Sequence, residues 1–305
     1  MGTGRMALPN FIVIGASRAG TTSLQAYLAQ HPEVHMCPVK SPNHFVAKDA
    51  LPPWEGPAVQ AMARQWVACR SVYEALFDSP AEKRVRGEVS PVYLQSRQAP
   101  RRIREACGEI KLVAILRDPV ERAYAHFLGR RRDGLEDRRE FRQVIEEELS
   151  RPLPDEVAFG CYLGCSRYHH FLKDYLELFP TEHVRIYLFE DLQADAGALL
   201  ADLFGFLEVD ARFTPDTSRR HNRSGEIAGP LRRMLWTRSV RLRTALRPHL
   251  PAVVRDAAQP FFREQLVKPP PDAGLRARAI AALRPDVERL AERIGRNLSH
   301  WLATA

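Results

Sequence analysis

Three features of the sequence predict an α/β protein: a three-layer α/β/α sandwich with a central parallel sheet and a P-loop-like nucleotide-binding core. Short, continuous apolar runs rich in β-branched residues recur at Phe11–Gly15, Lys111–Leu116 and Val184–Phe189, as strands buried on both faces require. Stretches with helical apolar spacing separate these runs, and that alternation implies parallel strands joined by crossover helices. The first strand leads directly into a glycine-bearing turn and then a helix, the arrangement that opens a nucleotide-binding βα unit. With 305 residues, 45% of them hydrophobic and 27% charged, the chain can build one large core. The motifs described below run through most of its length, so a single domain over 1–305 is expected rather than two.

Residues 1–9 read as a short disordered end. After the Phe11–Gly15 strand, a helix is predicted from Thr22 to Gln30, with Leu24, Tyr27 and Leu28 on one face and His31-Pro32 closing it. Residues 38–60 hold five prolines and read as a loop. The pattern then predicts a helix from Val59 to Phe77, a strand at Val85–Val89 and a helix from Arg97 to Ala106. Lys111–Leu116 ends in Arg117-Asp118-Pro119, where Asp118 suits a helix N-cap and Pro119 the first helical position, starting a helix to about Arg131. Arg130–Glu148 is strongly charged and reads as a solvated helix surface with turns at Gly134 and Pro152. A helical face runs from Ser166 to Phe179 through Tyr168, Phe171, Leu172, Tyr175 and Leu176. A further helix is predicted at Asp195–Phe206, and Arg219–Gly229 reads as a polar loop. Pro269–Pro271 precedes a last amphipathic helix from Leu275 to Ile294.

Charge is the unusual feature of the composition. Lys and Arg number 45 against 37 Asp and Glu, a net charge of +8, and only six of the basic residues are lysine. Arginine presents a planar fork that grips phosphate or sulfate at two points. An oxyanion-bearing partner is therefore expected, although a bias toward arginine accounts equally well for the bulk of them. No basic–aromatic or helix-turn-helix pattern points to nucleic acid. No segment is long and apolar enough to span a bilayer, and none reads as a signal peptide. The five cysteines show neither CxxC nor zinc spacing, so a reduced, cytoplasmic protein without a metal site is expected, with Cys161 and Cys165 serving packing.

The strongest local signal is Gly15-Ala16-Ser17-Arg18-Ala19-Gly20-Thr21-Thr22. Against the P-loop pattern GxxxxGK(S/T) it keeps both glycines and the final hydroxyl, but Thr21 stands at the lysine position. Such a loop aims backbone N–H groups at an anion, and here the cation has moved to Arg18. Arg18, Ala19, Gly20, Thr21, Thr22 and Ser23 are the candidate anion cradle. Hydrolysis of ATP or GTP is disfavoured, because the usual contact to the terminal phosphates is missing.

The segment FIVIGASRAGTTSLQAYLAQHP at 11–32 resembles the 5′-phosphosulfate-binding segment of sulfotransferases that use 3′-phosphoadenylyl sulfate (PAPS). KLVAILRDPVERAYAHF at 111–127 is similar to the family's 3′-phosphate-binding strand and helix, RxPxxRxxSxY. Arg117 and Arg122 match that pattern, while Ala125 replaces its serine. Gly87–Tyr93 is similar to GExSPxY, and Gly160–Leu192 to the following GxY, FP and FEDL motifs. Ile294–Trp301 resembles the closing segment of bacterial members.

The resemblance implies two oxyanion pockets. Arg18 and the loop would meet the phosphosulfate, with Arg18 stabilising charge on the leaving phosphate oxygen; Arg117 would hold the 3′-phosphate, with Arg223 also near the nucleotide and no metal required. Carbohydrate and bacterial branches carry a glutamate base in KEPxxF, where this chain has Lys40-Ser41-Pro42-Asn43-His44-Phe45. With Ser41 at that place, three replacements stand open: His44 as base, Glu88 reaching in from its strand, or an acidic phenol that needs little help. His44 is the candidate carried forward. Lys40 either assists the bridging oxygen or faces solvent.

Arg130-Arg131-Arg132 is either a solvated helix end or a contact for an anionic acceptor. The basic amphipathic stretch bearing Arg232, Arg233, Arg238, Arg241, Arg243 and Arg247 suits either an anionic membrane surface or a cover over the acceptor cleft. The expected reaction moves a sulfuryl group from PAPS to a hydroxyl of a carbohydrate, lipid or secondary metabolite. Its products are a sulfate ester and 3′,5′-ADP, and the partner is a small-molecule or glycan acceptor. The alternatives are a catalytically impaired PAP- or PAPS-binding relative, favoured by Ser41 and Ala125, and a P-loop small-molecule kinase.

Overall fold

The computed structural model describes residues 8–47, 66–78, 83–133, 135–153, 161–218, 226–227, 266–267 and 272–304. Five strands form one parallel sheet: β1 (Phe11–Gly15), β2 (Val34–Met36), β3 (Val85–Val89), β4 (Lys111–Leu116) and β5 (Val184–Leu188), in the order β2-β3-β1-β4-β5. In register, Phe11 lies beside Gly87 on one side and Lys111 on the other, and Leu112 lies beside Val184. A separate two-residue antiparallel pair, β6 (Glu226–Ile227) and β7 (Leu266–Val267), completes the described strands.

Helices cover both faces, as the all-parallel pairing requires. Alternate residues of the central strands point to opposite cores. Phe11 and Val13 of β1, with Val113 and Ile115 of β4, pack with α1 (Thr21–Leu28) and α9 (Ala196–Phe206). Ile12, Ile14, Leu112 and Ala114 pack on the other side with α4 (Ala99–Cys107), α5 (Pro119–Arg132), α6 (Phe141–Leu149), α7 (Tyr168–Leu178) and α10 (Ala273–Ile294). The short helices are α2 (His44–Ala47), α3 (Arg70–Ala75) and α8 (Phe189–Ala194). None of the described helices is long and apolar enough to cross a membrane.

The last helix is bound into the body of the fold by polar contacts as well as by Leu275, Ile280, Leu283 and Leu290. Arg276 Nη2 meets Asp118 Oδ2 at 2.7 Å with both side chains nearly buried. Asp286 accepts the backbone N–H groups of His169 and His170 at the start of α7, at 3.0 and 2.9 Å. Asp118 also caps α5, taking hydrogen bonds from Val120 and Glu121 N–H at 2.9 Å, with Pro119 at the first helical position as the sequence predicts.

Several expectations are corrected. Leu8 and Pro9 belong to the ordered body: the Leu8 carbonyl accepts from Arg86 Nε and Pro9 is buried. β2 and α2 lie where no strand or helix was expected. The helix predicted over 59–77 is, among the described residues, only α3, because residues 67–69 run without helical bonds before Cys69 caps it in extended conformation. The charged segment after Arg130 is not a uniformly solvated surface. Arg130 is 7% exposed, donating to Tyr162 Oη at 3.0 Å and the Leu135 carbonyl at 2.6 Å, and α6 buries Phe141, Val144, Ile145 and Glu148.

Candidate functional site

β1 lies between β3 and β4. The chain leaves it toward β2 on one side and resumes with β4 on the other, which makes the carboxyl end of β1 the switch point of the sheet. Three neighbouring strand ends therefore deliver side chains to one edge: Glu88 and Ser90 from β3, the loop 16–20 from β1, and Arg117 from β4.

The loop is folded tightly against the sheet, with Ala16 N–H donating to the Ile115 carbonyl and Ala19 N–H to the Ala16 carbonyl. It turns through left-handed backbone at Arg18 (φ 69°) and Gly20 (φ 93°). At Gly20 a Cβ would also lie 2.9 Å from the Phe189 ring, so glycine is required for space as well as for torsion. Gly20 starts α1 without a side-chain cap, and the first helical bond runs from Leu24 N–H to its carbonyl. Thr21, Thr22 and Ser23 form the first turn of the helix, whose N–H groups point out of its N-terminus, the geometry of an anion cradle.

Lys40 comes to this helix end from a distant part of the sequence, its Nζ donating to Thr22 Oγ1 at 2.5 Å. An ammonium thus stands beside the hydroxyl that follows the missing P-loop lysine. Sequence reading left Lys40 between two roles, because only the fold brings it to Thr22. Arg117 lies 4.8 Å over the Phe189 ring, 14% exposed, and donates to the Arg18 carbonyl and to Glu121, both at 3.3 Å. Arg18 and Arg117 are therefore joined through the loop backbone.

Arg122 is not at the site surface. It is fully buried, donating through Nε to Ser166 Oγ at 2.7 Å and through Nη2 to the Tyr162 carbonyl, so it holds α5 to the 161–166 segment. Ala125 is fully buried in the same helix. Arg223 and the arginines at 232–247 lie outside the described residues.

His44 begins α2 and is 8% exposed, its ring stacked on Tyr73 at 4.1 Å and 8°. Its Nδ1 lies 2.8 Å from the Val67 carbonyl. A carbonyl only accepts, so Nδ1 carries the proton and Nε2 the lone pair of the neutral ring.

Behind His44, Glu88 is fully buried and collects three hydroxyls: Tyr73 at 2.5 Å, Ser90 at 2.6 Å and Tyr93 at 3.0 Å. Two of these donors also accept from the 40–45 segment, Ser90 Oγ from Asn43 N–H and Tyr93 Oη from Phe45 N–H. One carboxyl thereby organises the whole segment that carries Lys40 and His44. Its complete burial makes Glu88 a support rather than a group that reaches a substrate.

Burial pushes the Glu88 carboxyl up to about 7, against the pull of its three donors. Between its ordinary value of 4.5 and that value, the folded chain keeps a proton that the unfolded chain has released. The contribution of Glu88 to stability therefore falls as pH rises through this window and is level on either side. Melting curves should show wild type losing ground to Glu88→Gln as pH rises from 4.5 to 7; parallel curves would count against this account.

Among the described residues no group of three or more His, Cys, Asp or Glu side chains is arranged to hold a metal ion. What the site offers is a helix N-terminus, an ammonium and two arginines rooted at adjacent strand ends, complementary to a ligand with more than one oxyanion.

A model of the sulfotransferase family matches residues 9–215. The membrane-associated sulfotransferase kil1 of Dictyostelium discoideum is 30% identical over 122 residues, 40% of this chain and 23% of the relative. Human heparan sulfate glucosamine 3-O-sulfotransferase 6 is 26% identical over 216 residues, 68% of this chain and 54% of the relative. The chain thus spans about a quarter to a half of the length of these curated relatives. A sulfotransferase of solved structure from Alicyclobacillus acidocaldarius shares the fold with a TM-score of 0.74 at 28% identity, over 97% of this chain and 100% of that one.

Proposed function

Because this chain belongs to the sulfotransferase family, we propose that it moves a sulfuryl group from PAPS to a hydroxyl of a small-molecule or glycan acceptor. The observation that carries this reading is the joined pair of cationic positions at adjacent strand ends, Arg18 with the open N-terminus of α1 and Arg117 after β4. PAPS supplies an activated sulfuryl group on a 5′-phosphate and a second anion at its 3′ position, and the two positions suit these two anions.

Backbone N–H groups at 21–23 and Lys40 would orient the phosphosulfate, while Arg18 would meet the charge that develops on the leaving phosphate oxygen. Arg117 would bind the 3′-phosphate, with Arg223 as a further candidate. Held in place, these groups favour in-line transfer without rearrangement at the moment of reaction. The heparan sulfate enzymes among the relatives support a glycan acceptor, and the five free thiols agree with a reducing, cytoplasmic setting.

His44 is the proposed general base. Support comes from the fixed orientation of its ring, held by the Nδ1 contact to the Val67 carbonyl and by the stack on Tyr73. His44→Ala should lower kcat by about 10²–10⁴-fold on aliphatic alcohols and much less on acidic phenols, which ionise unaided. Equal losses on both acceptor types would remove His44 from the role.

The function itself is tested by incubating the protein with PAPS and a panel of glycans, alcohols and phenols. Acceptor-dependent release of 3′,5′-ADP with formation of a sulfate ester is the expected result. Tight 3′,5′-ADP binding without turnover would instead indicate a binding module, and magnesium-dependent consumption of ATP would indicate a kinase.

A further inference from the structure

Glycine is a poor choice inside a helix, because it gives up more backbone freedom on folding than any other residue. Gly129 nevertheless lies buried within α5, three residues before its end. The space over its Cα is filled by Arg18: a Cβ built there would stand 2.3 Å from Nη2, 2.5 Å from Cζ and 2.8 Å from Nη1. The guanidinium therefore rests on bare helix backbone, closer than any side chain would permit. One turn further on, Asp133 Oδ2 lies 4.0 Å from Nη2, and the Arg18 side chain is 17% exposed.

The same helix surrounds this seat with positive charge. Burial, and then Arg132, lower the Arg18 guanidinium to about 10, with Arg122 and Arg130 acting in the same direction and Asp133 opposing. The other end of Arg18 is also fixed: its backbone is left-handed and its carbonyl accepts from Arg117. With the backbone held, the position of the guanidinium depends on how closely it approaches α5.

We propose that Gly129 is a positioning residue for sulfuryl transfer, its missing side chain forming the seat that sets where the Arg18 guanidinium stands. This rests on the reading of Arg18 as the group that meets the phosphosulfate of the donor. A methyl group on residue 129 would push the guanidinium outward, while α5 itself would be favoured by alanine. Activity and stability are thus expected to move in opposite directions, which a glycine serving helix packing alone would not produce. The atoms in the way belong to the far end of a flexible side chain, so the variant should fold.

The test compares wild type, Gly129→Ala, Arg18→Lys and the double variant in steady-state transfer from PAPS, 3′,5′-ADP affinity and melting temperature. Gly129→Ala should keep or raise the melting temperature and leave 3′,5′-ADP binding within about twofold, while kcat falls about 10- to 100-fold, in keeping with the cost of a 1 Å misplacement. In the Arg18→Lys background, where no guanidinium fills the seat, the same substitution should change kcat less than about twofold, so the two effects do not add. Unchanged kcat in Gly129→Ala, full additivity in the double variant, or a fall in melting temperature matching the fall in activity would overturn the proposal alone. Wild-type turnover in an Arg18→Ala enzyme would overturn the reading of Arg18 and the proposal with it.

Discussion

Arg18→Ala is expected to lower sulfuryl transfer by about 10²–10³-fold, the scale seen when a preorganised donor to developing charge is removed, while 3′,5′-ADP affinity falls only severalfold. The difference follows from where each part of the ligand would be held. The 5′-phosphate of 3′,5′-ADP would face backbone N–H groups of α1, which the substitution leaves in place. The Arg18 side chain is largely shielded from water, where its charge acts on a neighbouring anion with little screening. In the proposed role its interaction would grow as charge moves onto the leaving oxygen, so its loss should fall on the rate rather than on ground-state binding. Initial rates at saturating PAPS, together with calorimetric titration of 3′,5′-ADP, measure the two quantities separately. Unchanged turnover would sink the assignment.

The second large effect is expected from Arg117→Ala. Loss of a charge-assisted contact to the 3′-phosphate is worth about 1.5–3 kcal/mol, so 3′,5′-ADP should bind about 10- to 100-fold more weakly. Adenosine 5′-monophosphate lacks that phosphate and should lose only a few-fold. A small general loss is built in, because the Arg117 guanidinium also supports the Arg18 carbonyl and lies on the Phe189 ring. Titration of both nucleotides against wild type and variant decides the matter, and equal losses would place the 3′-phosphate elsewhere.

Three of the strands that organise this site are those whose residues state their environment locally. Phe11–Gly15, Lys111–Leu116 and Val184–Leu188 are short runs rich in β-branched or aliphatic residues, as doubly covered strands must be, whereas Val85–Val89 carries Arg86, Gly87 and Glu88 between its two valines. Asp118-Pro119 announces the start of α5 through chemistry confined to adjacent residues. β2 was illegible because Val34-His35-Met36 has no continuous apolar run. As an edge strand it is defined by its pairing with Val85–Gly87, not by its own composition. α2 was hidden by the surrounding prolines, and its first residue is held by Tyr73 and Val67 from the following segment.

The same division runs through the site. The loop and helix start at 18–23 were readable because glycines and hydroxyls stand at fixed offsets on one loop. The meeting of Lys40 with Thr22, the convergence of three hydroxyls on Glu88 and the seat of Arg18 on Gly129 join residues far apart in the chain. Arg122 matches the motif in sequence, and the helix turns it inward to Ser166 and the Tyr162 carbonyl, which the motif alone does not show.

The bonds made by α10 separate what is shared from what holds together. The family match ends at residue 215, yet Arg276 anchors the cap of the helix that seats Arg18, and Asp286 closes the start of α7. A cut after residue 215 would strip Asp118 of its buried counter-charge and open the apolar surface now covered by Leu275, Ile280, Leu283 and Leu290. The boundary drawn by likeness is thus not a boundary of mechanical independence: the portion held in common with relatives depends, for its own rigidity, on a helix that lies beyond it.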